Sequence, residues 1–225
     1  MVDELLGSAS VERYPVRAVR FGLGASIVVS GLLRYFLSAA DGRQITIRYV
    51  GPGDLVGSVI PLSATGSTGA QAIEPSVVMV LDPGRLQTVV FRHPESFEAL
   101  IDEMTGRLRT AYGVLAARSF ATVKSRIARD LIERARAGGH PEPAADLQVT
   151  QQALADATGS VREVVARSLA EMRRQGIVAT HPSHVTILDA DALAREARAE
   201  GAGEAGLTQA QDVDRVSADS PDHSL

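Results

Sequence analysis

Hydrophobic and polar positions change their spacing along this chain, and the changes divide it into three parts. Between about residues 16 and 81, short apolar runs alternate with glycine-containing breaks. Within Gln44–Val50 apolar and polar residues alternate with the period of a β-strand, and Gly66–Gly69 is predicted to be a loop. Short strands with turns about every 8–12 residues are typical of a barrel or jelly roll. The first part is therefore predicted to be a β-roll.

From Pro94 onward the spacing becomes helical. Apolar side chains recur at steps of three and four residues, at Phe97, Ile101, Met104, Leu108, Ala111 and Leu115, and then less regularly at Val123, Ile127 and Leu131. This spacing predicts one helix of about 35–40 residues, far longer than the globular average of about 11–12. The stripe could pack on its own roll or on a second protomer. The second protomer is favoured because nothing else in the sequence could cover so long a stripe.

Thr150–Val178 forms the third pattern, which predicts two helices joined by a tight turn at Gly159. A helical wheel of Val161–Arg174 separates two faces. One face, within an arc of about 140°, carries the charged residues Arg162, Glu163, Arg167, Arg173 and Arg174. The opposite face carries Val161, Val165, Leu169 and Met172. A helix with one buried face and four arginines on the other is suited to a groove lined with phosphates and base edges.

Composition narrows the class of protein. The chain has 225 residues, enough for two domains, and no cysteine, which excludes disulfides, thiolate metal sites and cysteine nucleophiles. It has no apolar run of transmembrane length and no signal segment, so we expect a cytoplasmic protein without membrane contact. No paired carboxylates or nucleophile–base set stands out, so an enzyme is not predicted. His181 and His184 lack further nearby ligands, so no metal is expected.

The net charge of −4 does not argue against a nucleic-acid partner, because the acidity is confined to one end. Residues 201–225 carry five acids and one base, which accounts for the whole net charge. Residues 118–174, by contrast, carry ten Lys and Arg against seven Asp and Glu. The excess of positive charge in this segment therefore favours DNA binding.

Three sets of residues carry a family resemblance. The C-terminal set is Thr150-Gln151, Leu154-Ala155, Gly159, Arg162-Glu163, Val165, Arg167, Leu169, Met172 and Gly176–Val178, followed by His181–Val185, Ile187 and Asp189, which resemble the wing hairpin. The set at the end of the long helix is Val123, Arg126–Ala128 and Leu131. The N-terminal set is Val28-Val29, Gly31, Asp41–Arg43 and Gly53–Gly57. Through them the chain resembles the Crp/Fnr family of bacterial transcription regulators. The resemblance implies a homodimer on a near-palindromic double-stranded DNA site, with RNA polymerase as a further candidate partner.

The patterns and the resemblance together predict an α+β protein in five segments. These are a cyclic-nucleotide-binding-like, jelly-roll-like β-roll that acts as sensor (1–93), a long dimerisation helix (94–138), a hinge (139–145), a winged helix-turn-helix domain (146–198) and a disordered acidic tail (199–225). A sensor or scaffold protein that does not bind DNA is the alternative, and the arginine face of the second helix argues against it.

The resemblance assigns Arg162, Glu163 and Arg167 to base contacts. Arginine matches guanine O6 and N7, and a carboxylate can accept from cytosine N4. Glu163 has a competing role, because Ser160 and Glu163 have the spacing of a capping box. The expected backbone contacts are Thr150, Ser160, Arg173, Arg174 and His184.

The sensor pocket departs from the family pattern. Cyclic-nucleotide binders of this type carry a Gly-Glu pair for the ribose and an Arg-Ser/Thr-Ala run for the phosphate. Here the corresponding residues are Gly57-Ser58 and Thr68–Ala70 (Thr68, Gly69 and Ala70), without the carboxylate or the arginine. Charge-assisted bonds are thereby lost. Ala111 and Tyr112 correspond to the positions at which the family's dimer helix offers hydroxyls to the base. We expect weak cyclic AMP binding or none, with an unknown effector and no cofactor; a cyclic AMP response through a non-standard pocket is the alternative.

Overall fold

Two four-stranded antiparallel sheets form a roll in the N-terminal part of the protein. The computed structural model describes residues 4–5, 7–57, 67–139 and 145–199. The strands are β1 (Ser10–Tyr14), β2 (Val19–Phe21), β3 (Ser26–Ser30), β4 (Leu33–Ser38), β5 (Gln44–Val50), β6 (Leu55–Val56), β7 (Ser67–Ala72) and β8 (Ser76–Val80). One sheet has the order β1-β8-β3-β6 and the other β2-β7-β4-β5. Ser58, Gly66, most of the predicted hinge (140–144) and all but the first residue of the predicted tail (200–225) lie outside the described residues.

The roll confirms most of the strand pattern and corrects one segment. β5 covers the alternating run Gln44–Val50, and Gly42 and Gly53 lie in turns with positive φ. The predicted loop at 66–69 is wrong for residues 67–69, which belong to β7 between β2 and β4. This central strand has a glycine at position 69 because that residue lies directly against the ring of Phe36 on β4. A side chain on Gly69 would occupy the space of that ring.

In the described part of the chain, six helices follow or separate the strands. They are α1 (Pro83–Arg92), α2 (Pro94–Phe120), α3 (Val123–Ala137), α4 (Gln151–Thr158), α5 (Arg162–Arg174) and α6 (Ala190–Arg198). Three short strands, β9 (Asp146–Gln148), β10 (Val178–Thr180) and β11 (His184–Ile187), form a separate antiparallel sheet in the order β10-β11-β9. Among the described residues, no helix is both long enough and apolar enough to span a bilayer.

The predicted single helix of 35–40 residues is wrong, because it is divided in two. α2 has 27 residues and ends before Ala121, whose ψ of 146° is extended. Thr122 then caps α3, and its Oγ1 accepts from the amide of Ser125 at 3.1 Å. The apolar spacing continues across the break, so periodicity alone could not reveal it.

The two helices differ in the burial of their apolar positions. None of the 27 residues of α2 is buried, and Ile101, Leu108 and Leu115 are each about half exposed or more. Ile127 and Leu131 of α3 are fully buried in the C-terminal core, which α3 shares with α4, α5, α6 and the small sheet. α3 is therefore packed in the second domain instead of extending the stripe of α2.

A buried polar cluster joins β5 of the roll to α3. The Tyr49 hydroxyl donates to Asp130 Oδ1 at 2.8 Å and accepts from Arg134 Nη2 at 2.6 Å. All three side chains are less than a tenth exposed, and the Arg134 guanidinium lies 4.6 Å from the Tyr49 ring centroid. Burial, followed by the charge of Asp130, raises the pKa of Tyr49 well above its usual value. The phenol therefore stays protonated and can donate to the carboxylate.

Gly51 allows this close approach at the end of β5. A Cβ on Gly51 would lie 2.1 Å from the carbonyl oxygen of Ala137, the last residue of α3. A larger residue would force the roll and α3 apart. The Tyr49 cluster and this backbone contact together fix α3 against the roll.

We expect Tyr49→Phe to lower the free energy of unfolding by about 1–3 kcal/mol, because it removes a hydroxyl that serves two buried charged groups. Urea unfolding followed by circular dichroism measures the change. Tyr112→Phe is the matched control, since Tyr112 is 63% exposed and should change stability little. Equal stability of the two variants would contradict the assigned role of the cluster.

Candidate nucleic-acid interface

The helix-turn-helix forms where the sequence predicts it. Thr150 begins α4, and its Oγ1 accepts from the amide of Ala153 at 3.1 Å. Gly159 ends α4 in the left-handed conformation, at φ 60° and ψ 43°. The amide of Ser160 then donates to the carbonyl of Ala155 at 2.9 Å, which closes the helix end. α5 starts two residues later, at Arg162.

α5 has the two predicted faces. Val165, Leu169 and Met172 are buried in the C-terminal core. The opposite face is exposed and carries Arg162, Glu163, Arg167, Arg173 and Arg174. Val161 is an exception to the predicted apolar face, because it is the N-cap of α5 and is 58% exposed. The structure thus brings the predicted base-contacting residues together on one accessible surface.

The predicted capping box at Ser160 and Glu163 is absent. The N-cap of α5 is Val161, which makes no side-chain capping hydrogen bond. Glu163 is therefore the second helical residue instead of the third, and the amide of Ser160 is bonded to α4. The competing structural role for Glu163 is removed. Its exposed carboxylate lies in the first turn, where the helix dipole favours a negative charge.

Lys124 of α3 holds the C-terminal half of α5 in place. Its Nζ lies 2.8 Å from Glu171 Oε1, 2.9 Å from Glu196 Oε2 and 3.1 Å from Gln175 Oε1. Burial lowers the pKa of Lys124, but the hydrogen bonds to Glu171 and Glu196 outweigh it and raise the pKa overall. No sequence pattern singles out Lys124, because its partners lie 47 or more positions away and share no motif with it.

The predicted wing is the β10–β11 hairpin. The rings of His181 and His184 stack with centroids 4.1 Å apart, and His184 Nε2 lies 3.9 Å from Asp146 Oδ1 on β9. Arg173 Nη1 donates to Thr180 Oγ1 at 3.4 Å, which links α5 to the wing. Within the described ranges, no group of three or more His, Asp or Glu side chains could hold a metal ion.

The predicted sensor-pocket residues lie in different environments. Gly69 packs under Phe36, whose nearest ring carbon would lie 2.6 Å from a Cβ on that glycine. Ala70, the next residue, points into the hydrophobic core of the roll. Thr68 is half-buried, whereas Ala111 and Tyr112 of α2 are exposed. Ser58, the position of the missing carboxylate, lies outside the described residues.

Gly57 is held by α2. Arg107 donates from Nη1 to the carbonyl of Gly57 and from Nη2 to that of Leu55, each at 2.7 Å. Arg48 also donates to the Leu55 carbonyl, and Glu103 pairs with Arg107 at 2.8 Å. No sequence motif singles out Arg48, Glu103 or Arg107. They show that α2 contacts its own roll through charged side chains.

Comparison with known proteins agrees with this architecture. Residues 22–93 match the family profile of the cyclic nucleotide-binding domain, and residues 125–196 match that of the Crp-like helix-turn-helix domain. The transcriptional regulator LdrP of Thermus thermophilus is 34% identical over 172 residues, covering 74% of this chain and 84% of the relative. The CRP-like cAMP-activated global transcriptional regulator of Mycobacterium tuberculosis is 30% identical, covering 76% and 79%.

Solved structures of Crp/Fnr proteins have the same fold. A CRP-family transcriptional regulator from Thermus thermophilus superposes with a TM-score of 0.66 at 29% identity, covering 84% of this chain and 97% of its own. A Crp/Fnr-family protein from Eubacterium rectale has the same fold, with a TM-score of 0.71 at 18% identity over 88% and 93% of the two chains. The chain therefore belongs to the Crp/Fnr family of transcriptional regulators, with a cyclic-nucleotide-binding-type roll and a Crp-like DNA-binding domain.

Proposed function

We propose that this protein is a cytoplasmic, homodimeric regulator that reads a near-palindromic DNA site through α5 and does not respond to cyclic AMP. The observation that carries the proposal is the exposed face of α5. Arg162 and Arg167 lie on that face, while Val165 and Leu169 anchor the helix from behind. These two arginines contact guanine edges, and Glu163 accepts from cytosine N4.

Five further polar residues of the domain contact phosphates. Arg173 and Arg174 lie at the exposed end of α5, and His184 lies in the wing. Thr150 and Ser160 flank α4, and the start of α4 offers backbone amides to a phosphate. RNA polymerase is a further candidate partner of the DNA-bound protein. The proposed role is regulatory, with no catalytic activity.

The dimer is inferred from the polarity of α2. The side of α2 that meets its own roll carries Glu103 and Arg107, whereas Ile101, Leu108 and Leu115 are exposed. An apolar stripe along a 27-residue helix is stabilised by pairing with a second copy. Two α5 helices related by a two-fold axis can then enter successive major grooves, about 34 Å apart.

Insensitivity to cyclic AMP is inferred from two missing charged side chains and from the packing of Phe36 against Gly69. The chain lacks the carboxylate at Ser58 and an arginine near Thr68–Ala70, and Gly69 is covered by Phe36. The Mycobacterium tuberculosis relative is described as cAMP-activated, which keeps a cyclic AMP response through a non-standard pocket as the second candidate.

We expect Arg162→Ala and Arg167→Ala each to weaken binding to a specific duplex by about tenfold or more, because each removes a bidentate base contact of about 1–3 kcal/mol. The duplex is selected by the wild-type protein from a random pool, and affinities are compared with a scrambled duplex. Arg195→Ala, an exposed arginine of α6, is the control and should bind as the wild type does. If both variants keep the wild-type preference for the selected duplex, the proposed reading face is wrong.

We expect Leu108→Glu to convert a dimer into a monomer, because it places a charge in the centre of the α2 stripe. Sedimentation velocity measures the change. Phe91→Glu is the control, since Phe91 is 75% exposed on α1, outside the stripe. A monomeric wild-type protein, or a dimeric Leu108→Glu variant, would argue against the α2 interface.

Calorimetric titration with cyclic AMP and cyclic GMP should show no tight saturable binding, because both charge-assisted anchors are missing. The selected duplex should bind equally well with and without cyclic AMP. Tight binding of cyclic AMP, or a clear increase in DNA affinity, would favour the second candidate.

A further inference from the structure

A cleft lies where the roll, α2 and the DNA-binding domain meet, away from the exposed face of α5. Its volume is about 210 Å³. Its polar lining consists of Thr46 of β5, Thr110 and Arg118 of α2, Arg126, Arg129, Asp130 and Glu133 of α3, and Thr158 of α4. The cleft is thus bordered by the roll, by α2 and α3, and by the first helix of the helix-turn-helix.

Two of the arginines carry poorly compensated charges. Burial lowers the pKa of Arg118, and the positive charge of Arg126 lowers it further. Burial also lowers the pKa of Arg126, whose Nε is buried without a hydrogen-bond partner among the described residues. Two guanidinium groups that repel each other, with an unsatisfied buried donor, favour an anion between them.

The carboxylates near the cleft do not supply this anion. Asp130 accepts from Tyr49 at 2.8 Å and lies 3.5 Å from Arg134, so its charge is already paired. Glu133 also lines the cleft, and burial, followed by the charge of Asp130, raises its pKa to about 7, so its carboxyl is partly neutral near pH 7. The hydroxyl of Thr46 accepts from Arg34 Nε at 2.8 Å, which leaves its own proton to donate to a bound oxygen.

We propose that this cleft binds a small oxyanion of the phosphate class, held between Arg118 and Arg126. Arg129 adds a third positive charge, and Thr46 donates a hydrogen bond. Guanidinium groups bind phosphate oxygens through short, charge-assisted bonds. The volume suits a compact anion, since pockets for larger organic ligands measure about 300–1,000 Å³.

The position of the cleft couples its occupant to the DNA-binding motif. The Arg118 guanidinium packs against Gly159, the turn between α4 and α5, so closely that a Cβ there would lie 2.2 Å from Nη1. An anion that reorients Arg118 therefore acts directly on the helix-turn-helix. Binding of the anion is independent of DNA; only its regulatory consequence rests on the proposed function.

The test is thermal unfolding and calorimetry of the full chain with inorganic phosphate, against chloride at equal ionic strength and without DNA. The wild type should show saturable phosphate binding and a phosphate-dependent rise in Tm. In the double variant Arg118→Gln/Arg126→Gln the affinity should fall at least tenfold and the rise should vanish. Arg109→Gln/Arg195→Gln, which removes two exposed arginines outside the cleft, is the matched control and should bind as the wild type does.

Stability in chloride separates binding from a merely structural role. Removing two repelling, half-buried charges should leave the Tm of the double variant equal to or above that of the wild type. A lower Tm in chloride with the phosphate-dependent rise retained would show that the arginines are structural and would overturn the proposal. No saturable phosphate binding to the wild type, or equal binding to both double variants, would also overturn it. If the double variant does not fold, Arg126→Gln alone should still weaken phosphate binding at least tenfold.

These outcomes are distinguishable from failure of the proposed function. Phosphate binding is measured without DNA, and the DNA affinities of the α5 variants are measured without phosphate. A protein that binds phosphate but no specific duplex would refute the DNA-reading role alone.

Discussion

The contact between Tyr49 on β5 and the Asp130–Arg134 pair on α3 is the constraint on which the rest of the architecture depends. Burying two charged groups is costly unless each is hydrogen-bonded, and here the phenol serves both. The contact fixes α3 against the roll. α3 in turn forms the centre of the C-terminal core and, through Lys124, holds the end of α5. A continuous series of contacts therefore runs from β5 of the roll to α5.

The break at Thr122 gives the two helices on either side different roles. Before it, the apolar positions of α2 are exposed and its charged positions contact the roll. After it, the apolar positions of α3 are buried within the DNA-binding domain. The same spacing thus leaves an exposed apolar stripe in one helix and forms a domain core in the next. The end of α2 and the start of α3 also supply the two arginines of the interdomain cleft, so any anion bound there would lie at the boundary between the two roles.

The roll keeps the family fold, while two of the residues at its predicted pocket are packed against other side chains. Phe36 covers Gly69, and Ala70 faces the hydrophobic core. Charged groups are instead concentrated in the cleft between the domains and around Arg107 beside Gly57. A signal that acts between the domains need only alter contacts that already link β5, α2 and the helix-turn-helix.

Elements that depend on nearby residues were determined by the sequence itself. The strand at Gln44–Val50, the Thr150 cap, the Gly159 turn and the two faces of α5 follow from side-chain spacing and backbone preference within a few positions. The capping box failed because the amide of Ser160 had a stronger competitor in the end of α4. Tertiary structure alone decided the Tyr49 cluster, the Lys124 contacts and the cleft, whose partners lie 47 to 85 positions apart or on different elements. Such contacts form only when the fold brings distant segments together, and no local pattern records which segments will meet.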